Sequence, residues 1–270
     1  MLRLLIPLLF IALFISSANA QVDKFRFQPD KVPVGTVYHY VKSNQDGSDP
    51  ERISIYVAAK DRLEVFKFHP ESPGSRAALV IAFLDWDTFC VKKLESWTMT
   101  GLDQKTLTAT MEYLPSEKAV TVELNGPEKT TEKTQIPYLP FHVYNFDLTS
   151  LNIAMAHLVN QEGKFTIGIA DPNFGESGPL FLYRGEAQIE FVATEERNGV
   201  PCRKYKIDGP GLENRGGFMW VDKTKSHFVD LETDLPDNPN WKNFKLKLDR
   251  TEQMSQEQWG AFYKKHFEKP

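Results

Sequence analysis

The segment Ile189-Glu190-Phe191-Val192-Ala193-Thr194-Glu195-Glu196-Arg197-Asn198-Gly199-Val200-Pro201-Cys202-Arg203-Lys204-Tyr205-Lys206-Ile207 decides the fold class. Ile189, Phe191 and Ala193 recur at every second residue, and beyond Asn198-Gly199 the same period carries Arg203, Tyr205 and Ile207. A strand places successive side chains on opposite faces, so a period of two marks a strand with two distinct sides. Asn-Gly supplies the positive φ angles of a two-residue hairpin turn. The segment therefore predicts two antiparallel strands joined by a tight turn.

The same period extends in both directions. Upstream, Val37, His39 and Val41 alternate with Tyr38 and Tyr40, and Ile53, Ile55 and Val57 with Ser54, Tyr56 and Ala58. Leu107, Ala109 and Met111 alternate with threonines, and Val120, Val122 and Leu124, then Phe165, Ile167 and Ile169, repeat the pattern. Downstream come Phe218 and Trp220, Val229 and Leu231, and finally Phe244, Leu246 and Leu248 against Lys245, Lys247 and Asp249. The last run reads as a half-buried strand, apolar on one face and charged on the other.

Two segments change period. After Asp147, read as an N-cap, apolar residues fall at Leu148, Leu151, Met155 and Leu158, a helical stripe. Near the end, Ser255 and Gln258 have capping-box spacing, and Trp259, Phe262, Tyr263 and His266 share a face. That face packs onto a sheet or lies on a membrane surface, and the first is the commoner use of such a helix. The expectation is a mainly β protein: one large curved antiparallel sheet, or incomplete barrel, with two helices. The mid-chain helix divides the strands into two halves. Gly35 and Gly185, each before a long alternating run, hint at a loose internal repeat.

The first twenty residues have a different character. Arg3 is their one charge, Leu4 to Ile15 is apolar apart from Pro7, and Ala18-Asn19-Ala20 is a small-x-small cleavage pattern. This is the layout of a signal peptide, residues 1–20, removed near Ala20/Gln21 to leave one β-rich domain, 21–270. The apolar run is shorter than the ~20 residues that span a bilayer, and no later stretch approaches that length, so the mature chain is expected to be secreted and soluble, with no membrane anchor. Losing Arg3 leaves 31 basic against 36 acidic residues, a net charge of −5. Interspersed charge of that sign lacks the clustered Lys and Arg of a nucleic-acid binder. No Asn-x-Ser/Thr sequon occurs after residue 20, which leans toward a bacterial periplasm.

Cys90 and Cys202 are the two cysteines. An oxidising compartment permits a bridge between them; two separate buried thiols is the equal alternative. Neither a C-x-x-C nor an H-E-x-x-H nor a glycine-rich phosphate loop is present, and no metal or cofactor is expected. Gly175-Glu176-Ser177-Gly178 lacks the spacing of a hydrolase elbow. The six histidines, His39, His69, His142, His157, His227 and His266, are scattered, and no catalytic residue is assigned. The acidic stretch Asp230, Glu232, Asp234, Asp237 offers oxygen ligands for Ca²⁺, but Pro236 and Pro239 among Asn and Asp suit an ordinary turn better. Asp85-Trp86-Asp87 reads either as a sugar site or as a strand end.

From Gly185 to Leu248, a long strand, Asn198-Gly199, Val200 to Ile207, Trp220-Val221-Asp222 and a return strand together resemble bacterial periplasmic domains of unknown function. Those domains are similar to lipoprotein carriers and outer-membrane lipoprotein receptors: incomplete barrels closed by helices over a hydrophobic cavity. The resemblance implies a lipid or acyl-chain ligand and assigns no binding residue. On that reading Phe165, Ile167, Tyr205, Phe218 and Trp220 line the ligand space. The alternatives are an envelope scaffold protein without a pocket, marked by an exposed apolar patch or unpaired sheet edge, and an envelope lipid or glycan hydrolase, marked by a cleft joining a histidine to a serine and a carboxylate. The expected outcome of export is a chain that begins near Gln21; intact mass of the secreted product checks it, and a product retaining residues 1–20 refutes the cleavage reading.

Overall fold

The Asn198-Gly199 hairpin forms as its sequence predicts. Arg197 pairs with Val200 across the turn, and Asn198 (φ 53°) and Gly199 (φ 76°) both take left-handed backbone. The computed structural model describes residues 22–70, 76–101, 103–173, 178–238 and 240–268, and within it the hairpin belongs to one sheet of 15 strands. Residues 1–20 (the stretch read as a signal segment), Gly175-Glu176-Ser177 and Pro239 lie outside the described residues.

The first half supplies β1 (Thr36–Ser43), β2 (Glu51–Ala59), β3 (Arg62–Phe68), β4 (Ala77–Asp85), β5 (Cys90–Met99), β6 (Lys105–Leu114), β7 (Ala119–Asn125) and β8 (Lys129–Gln135). The second supplies β9 (Phe141–Val143), β10 (Lys164–Pro172), β11 (Phe181–Arg197), β12 (Val200–Asp208), β13 (Gly217–Asp222), β14 (Phe228–Thr233) and β15 (Phe244–Gln253). The order across the sheet is β8 back to β1, then β15 back to β9. Two meanders thus join at one seam, where β1 pairs with β15 from Thr36 opposite Gln253 to Ser43 opposite Lys245. Every pairing is antiparallel except β9 with β10, which is parallel and makes the sheet mixed. The sheet is not closed. The β9 edge is buried, where the Phe141 N–H reaches Cys90 Sγ at 3.1 Å; β8 is largely exposed but is tied to the start of β11, the Thr134 hydroxyl donating to the Phe181 carbonyl at 2.8 Å and Glu132 Oε2 accepting from the Leu180 N–H at 2.8 Å.

A bulge revises one strand. The β11–β12 register shifts between Phe191 and Ala193, leaving Val192 unpaired and 51 % exposed. One extra residue reverses the alternation. Phe191 faces Tyr205 inward, whereas Ala193 sits opposite Lys204 on the outer face and does not share the side of Ile189.

The mid-chain helix α1 (Thr149–Ala154) continues into a 3-10 turn, Met155–His157, and all nine residues are buried. It is enclosed by the sheet rather than laid on it with one wet face. Asn152 fixes it there: its Nδ2 donates to the Tyr40 hydroxyl at 2.9 Å, its Oδ1 accepts from the Phe228 N–H at 2.7 Å, and Tyr40 donates to the Phe228 carbonyl at 2.9 Å. Every polar group of that small ring is satisfied, as burial demands. Helix α2 (Gln256–Phe267) has the expected capping box, with Ser255 Oγ accepting from the Gln258 N–H and Gln258 Oε1 from the Ser255 N–H. Its Trp259, Phe262 and Tyr263 pack on the outer face of the sheet at Val37, Tyr56 and Phe66. This explains why β1 and β2 are buried on both sides, while β15 keeps Lys247 and Asp249 outward. No helix among the described residues is long and apolar enough to cross a membrane.

Asp147 does not cap α1. Leu148 takes the cap position with left-handed backbone (φ 48°) and no side-chain cap bond, and Asp147 is itself left-handed (φ 55°). Its carboxylate is taken by two lysines. Lys42 Nζ on β1 lies 2.9 Å from Asp147 Oδ1 and also contacts Asp237 Oδ2, and Lys67 on β3 contacts Asp147 Oδ2. Glu51 Oε2 is 3.6 Å from Lys42. Burial works against the Lys42 charge, but Asp147, Asp237 and Glu51 outweigh it and hold the lysine pKa above its ordinary value. Burial likewise opposes the Asp147 carboxylate, and Lys42 and Lys67 hold its pKa below the usual range. Removing one member of a buried ionic cluster strands the others without compensation. Lys42→Met is therefore expected to lose about 3–5 kcal/mol of stability, and Lys67→Met less, because Asp147 keeps Lys42. Urea denaturation of both variants checks this; equal losses would refute the ranking.

Candidate functional site

The residues expected to line a ligand space fall on both faces of the sheet. Phe165, Ile167 and Tyr205 point inward and are buried in the main apolar cluster. Phe218 and Trp220 point outward: the register sets Lys206 opposite Phe218 and Lys204 opposite Trp220, with Met219 opposite Tyr205 on the inner side. With Tyr205 set opposite Met219, the register puts Phe218 and Trp220 on the other face, so the five do not share one cavity. Trp220 instead lies under Arg197, whose guanidinium carbon is 3.9 Å from the ring centre, and donates from Nε1 to Glu195 at 2.6 Å.

The cysteines are likewise on opposite faces. Cys90 belongs to the inner cluster and Cys202 to a small outer one with Trp220 and Val229; both are free thiols. Burial pushes Cys90 up to about 12 and Cys202 up to about 11. Three carboxylates of the acidic stretch go to cations, and Asp234 accepts from the Gln45 side-chain amide at 3.5 Å. Arg197 holds Asp230 at 2.8 Å and also Glu232, Lys245 is 2.8 Å from Glu232, and Asp237 meets Lys42. Among the described residues no group of three or more His, Cys, Asp or Glu is arranged to hold a metal ion. At Asp85-Trp86-Asp87, Asp85 bonds the Asp87 N–H and the Thr88 hydroxyl, a turn at a strand end, and the Trp86 ring is stacked on Phe27 with centres 4.6 Å apart.

One histidine does meet a serine and a carboxylate. His39 Nδ1 is 2.8 Å from Ser54 Oγ, its neighbour across β1–β2, and Nε2 is 2.7 Å from Glu252 Oε1 on β15. The order is inverted for hydrolysis. Ser54 is 3 % and His39 4 % exposed, with the Phe262 ring over the imidazole at 5.2 Å, whereas the Glu252 side chain is 37 % exposed. A nucleophile must face its substrate. Here the carboxylate faces solvent and the serine is buried on the α2 side of the sheet, so the triplet serves as an anchor between β1, β2 and β15. Sequence spacing held no sign of it, because the three residues meet only through the seam.

Two places stand out by their lining: a recess filled by the chain itself, and an open cleft. The first, a mouth on the unclosed sheet, is filled by the chain's own side chains and retains only about 10 Å³ of free space. Its wall includes Leu84, Trp86, Ile153 and His157, and the strap of residues 22–33 lies across it. Phe25 meets Phe89 (5.1 Å between ring centres) and Phe165 (5.4 Å), and Phe27 meets Trp86. The strap is held by a few backbone bonds, Arg26 N–H to the His157 carbonyl (2.8 Å) and Val159 N–H to the Lys24 carbonyl (2.8 Å), and by Gln28 N–H to His157 Nδ1 (3.2 Å). The second opening is a cleft of about 430 Å³ beside the seam, lined by Asp30 to Pro33, Tyr38, Thr224, Lys225, His227 and Glu252 among others. No family model matches the chain and no curated protein is found similar to it.

Burial dominates the titration of the interior. It lowers His142 to about 3, His157 to about 4 and His227 to about 4, and lowers His39 as well. It raises Asp171 to about 7 and Asp237 to about 6. The histidines stay neutral in the native state while the unfolded chain protonates them below about 6.5, so their contribution is full above that pH and falls as pH drops toward 4. The two carboxylates act oppositely, taking up protons first in the native state. With at least three histidines against two carboxylates, stability is expected to fall by about 1.4 kcal/mol per pH unit near pH 5 for each net proton. Urea midpoints at pH 7, 6 and 5 measure this, and a midpoint that rises toward pH 5 contradicts it.

Proposed function

We propose that the protein is a non-catalytic binding or carrier protein for an apolar ligand, a lipid or acyl chain, working in the periplasm. The observation that supports this reading is the strap-covered mouth. Rings of Phe89, Trp86 and Phe165 form an apolar wall, and the chain's own Phe25 and Phe27 occupy it. An acyl chain offers the same apolar surface as those two rings and would replace them if the strap lifts. The strap has few backbone bonds to break, and segments of low local stability are the ones that move to admit ligands. The inverted order of Ser54, His39 and Glu252 argues against hydrolysis.

Phe27 is half-buried, so its truncation opens the mouth without emptying the core. Phe27→Ala is expected to bind cis-parinaric acid, a fluorescent acyl chain, about tenfold more tightly than the wild type, since the competing ring is gone. Saturable binding that strengthens in the variant supports the carrier reading; no saturable binding by either protein overturns it.

A further inference from the structure

The cleft beside the seam has a floor that the fold does not use. Tyr38 and His227 line it, their rings 5.0 Å apart, and they are only 5 % and 4 % exposed. Among the described residues neither the Tyr38 hydroxyl nor the His227 imidazole has a hydrogen-bond partner. Tyr40, two residues along the same strand, is bonded twice, and His39 and His142 each bond a serine. Neither is among the fully sealed unpaired polar atoms, so both open onto the cleft, where water or a ligand can complete them. The pair is also preformed: β1 holds Tyr38 and β14 follows directly on His227, both in the body of the sheet.

The surroundings limit what fits. Lys31 and Lys225 face Asp30 and Glu252 around the rim, two charges of each sign, which disfavours a strongly charged ligand. The hydroxyl and the neutral imidazole each both donate and accept. Pro33 adds an apolar patch, and about 430 Å³ falls within the roughly 300–1,000 Å³ of small-molecule clefts. A ligand that presents hydroxyl groups able to donate and accept, on an uncharged body with an apolar C–H face, meets all of these terms. We infer that the cleft over Tyr38 and His227 is a saccharide-binding site, distinct from the mouth although the strap residues Asp30, Lys31 and Pro33 form part of its wall.

The test uses the whole mature chain and three probes, maltose, cellobiose and chitobiose, with inorganic phosphate as the charged control. Each is titrated to roughly 50 mM while protein NMR shifts are followed. The expected result is saturable shifts for at least one disaccharide, centred on Tyr38, Thr224, Lys225 and His227, with affinity about tenfold weaker in Tyr38→Phe, which removes only the hydroxyl. Lys225→Ala, on the rim, is expected to alter affinity without affecting folding, and it keeps the test open if Tyr38→Phe does not fold. No saturable shift with any disaccharide overturns the inference. So does saturation by phosphate alone, or sugar shifts that map away from the cleft and are unchanged in both variants.

Discussion

The Lys42 ammonium is the point through which the parts of this protein are tied. It sits on β1, the strand at the seam, and reaches inward to Asp147 at the entrance to α1 and to Asp237 in the connection before β15. Lys67 brings β3 to the same Asp147. A charge removed from water this completely is tolerated only where opposite charges surround it at close range. The cluster therefore specifies one arrangement of strand, helix entrance and loop, and a displaced arrangement leaves a bare charge in the interior. The left-handed backbone at Asp147 and Leu148 follows from the same demand: the carboxylate is turned toward the lysines instead of back over the helix end.

Much of the architecture was legible because it rests on local rules. Asn198-Gly199 forms its hairpin, Ser255 and Gln258 cap α2, and the Lys245, Lys247 and Asp249 face of β15 is charged, all from spacings of a few residues. The site residues were not, because facing is a cumulative property. One unpaired residue, Val192, reverses the sides of β11, and Phe218 and Trp220 read as inward only if neighbours across the sheet are ignored. Asp147 looked like an N-cap because the lysines that claim it are separated from it by most of the first half of the chain. The Tyr38–His227 cleft draws on the strap, β1, the β13–β14 turn and β15, so no window of sequence contains it.

The two faces divide the work. The inner face is continuous and apolar, with a few closed polar rings such as Tyr40, Asn152 and Phe228 that orient α1. The outer face differs along its length: α2 covers it at β1 to β5, and beyond the seam it carries ion pairs around Trp220. Both openings lie where these regimes meet, at the strap and at the seam.

The seam also sets an order of events in synthesis. Gln253 Nε2 bonds Thr36 Oγ1 across a sequence separation of 217 residues, and the whole of β1 takes its second partner from β15. Contacts so distant carry the largest loop-closure cost and form last. The first meander must wait, with one flank of β1 unpaired and without the cover of α2, until β15 and α2 have been made. An unpaired strand flank is a template for association with other chains. The nascent protein is thus most exposed to aggregation during elongation, and its completion is signalled by the last strand and helix to appear.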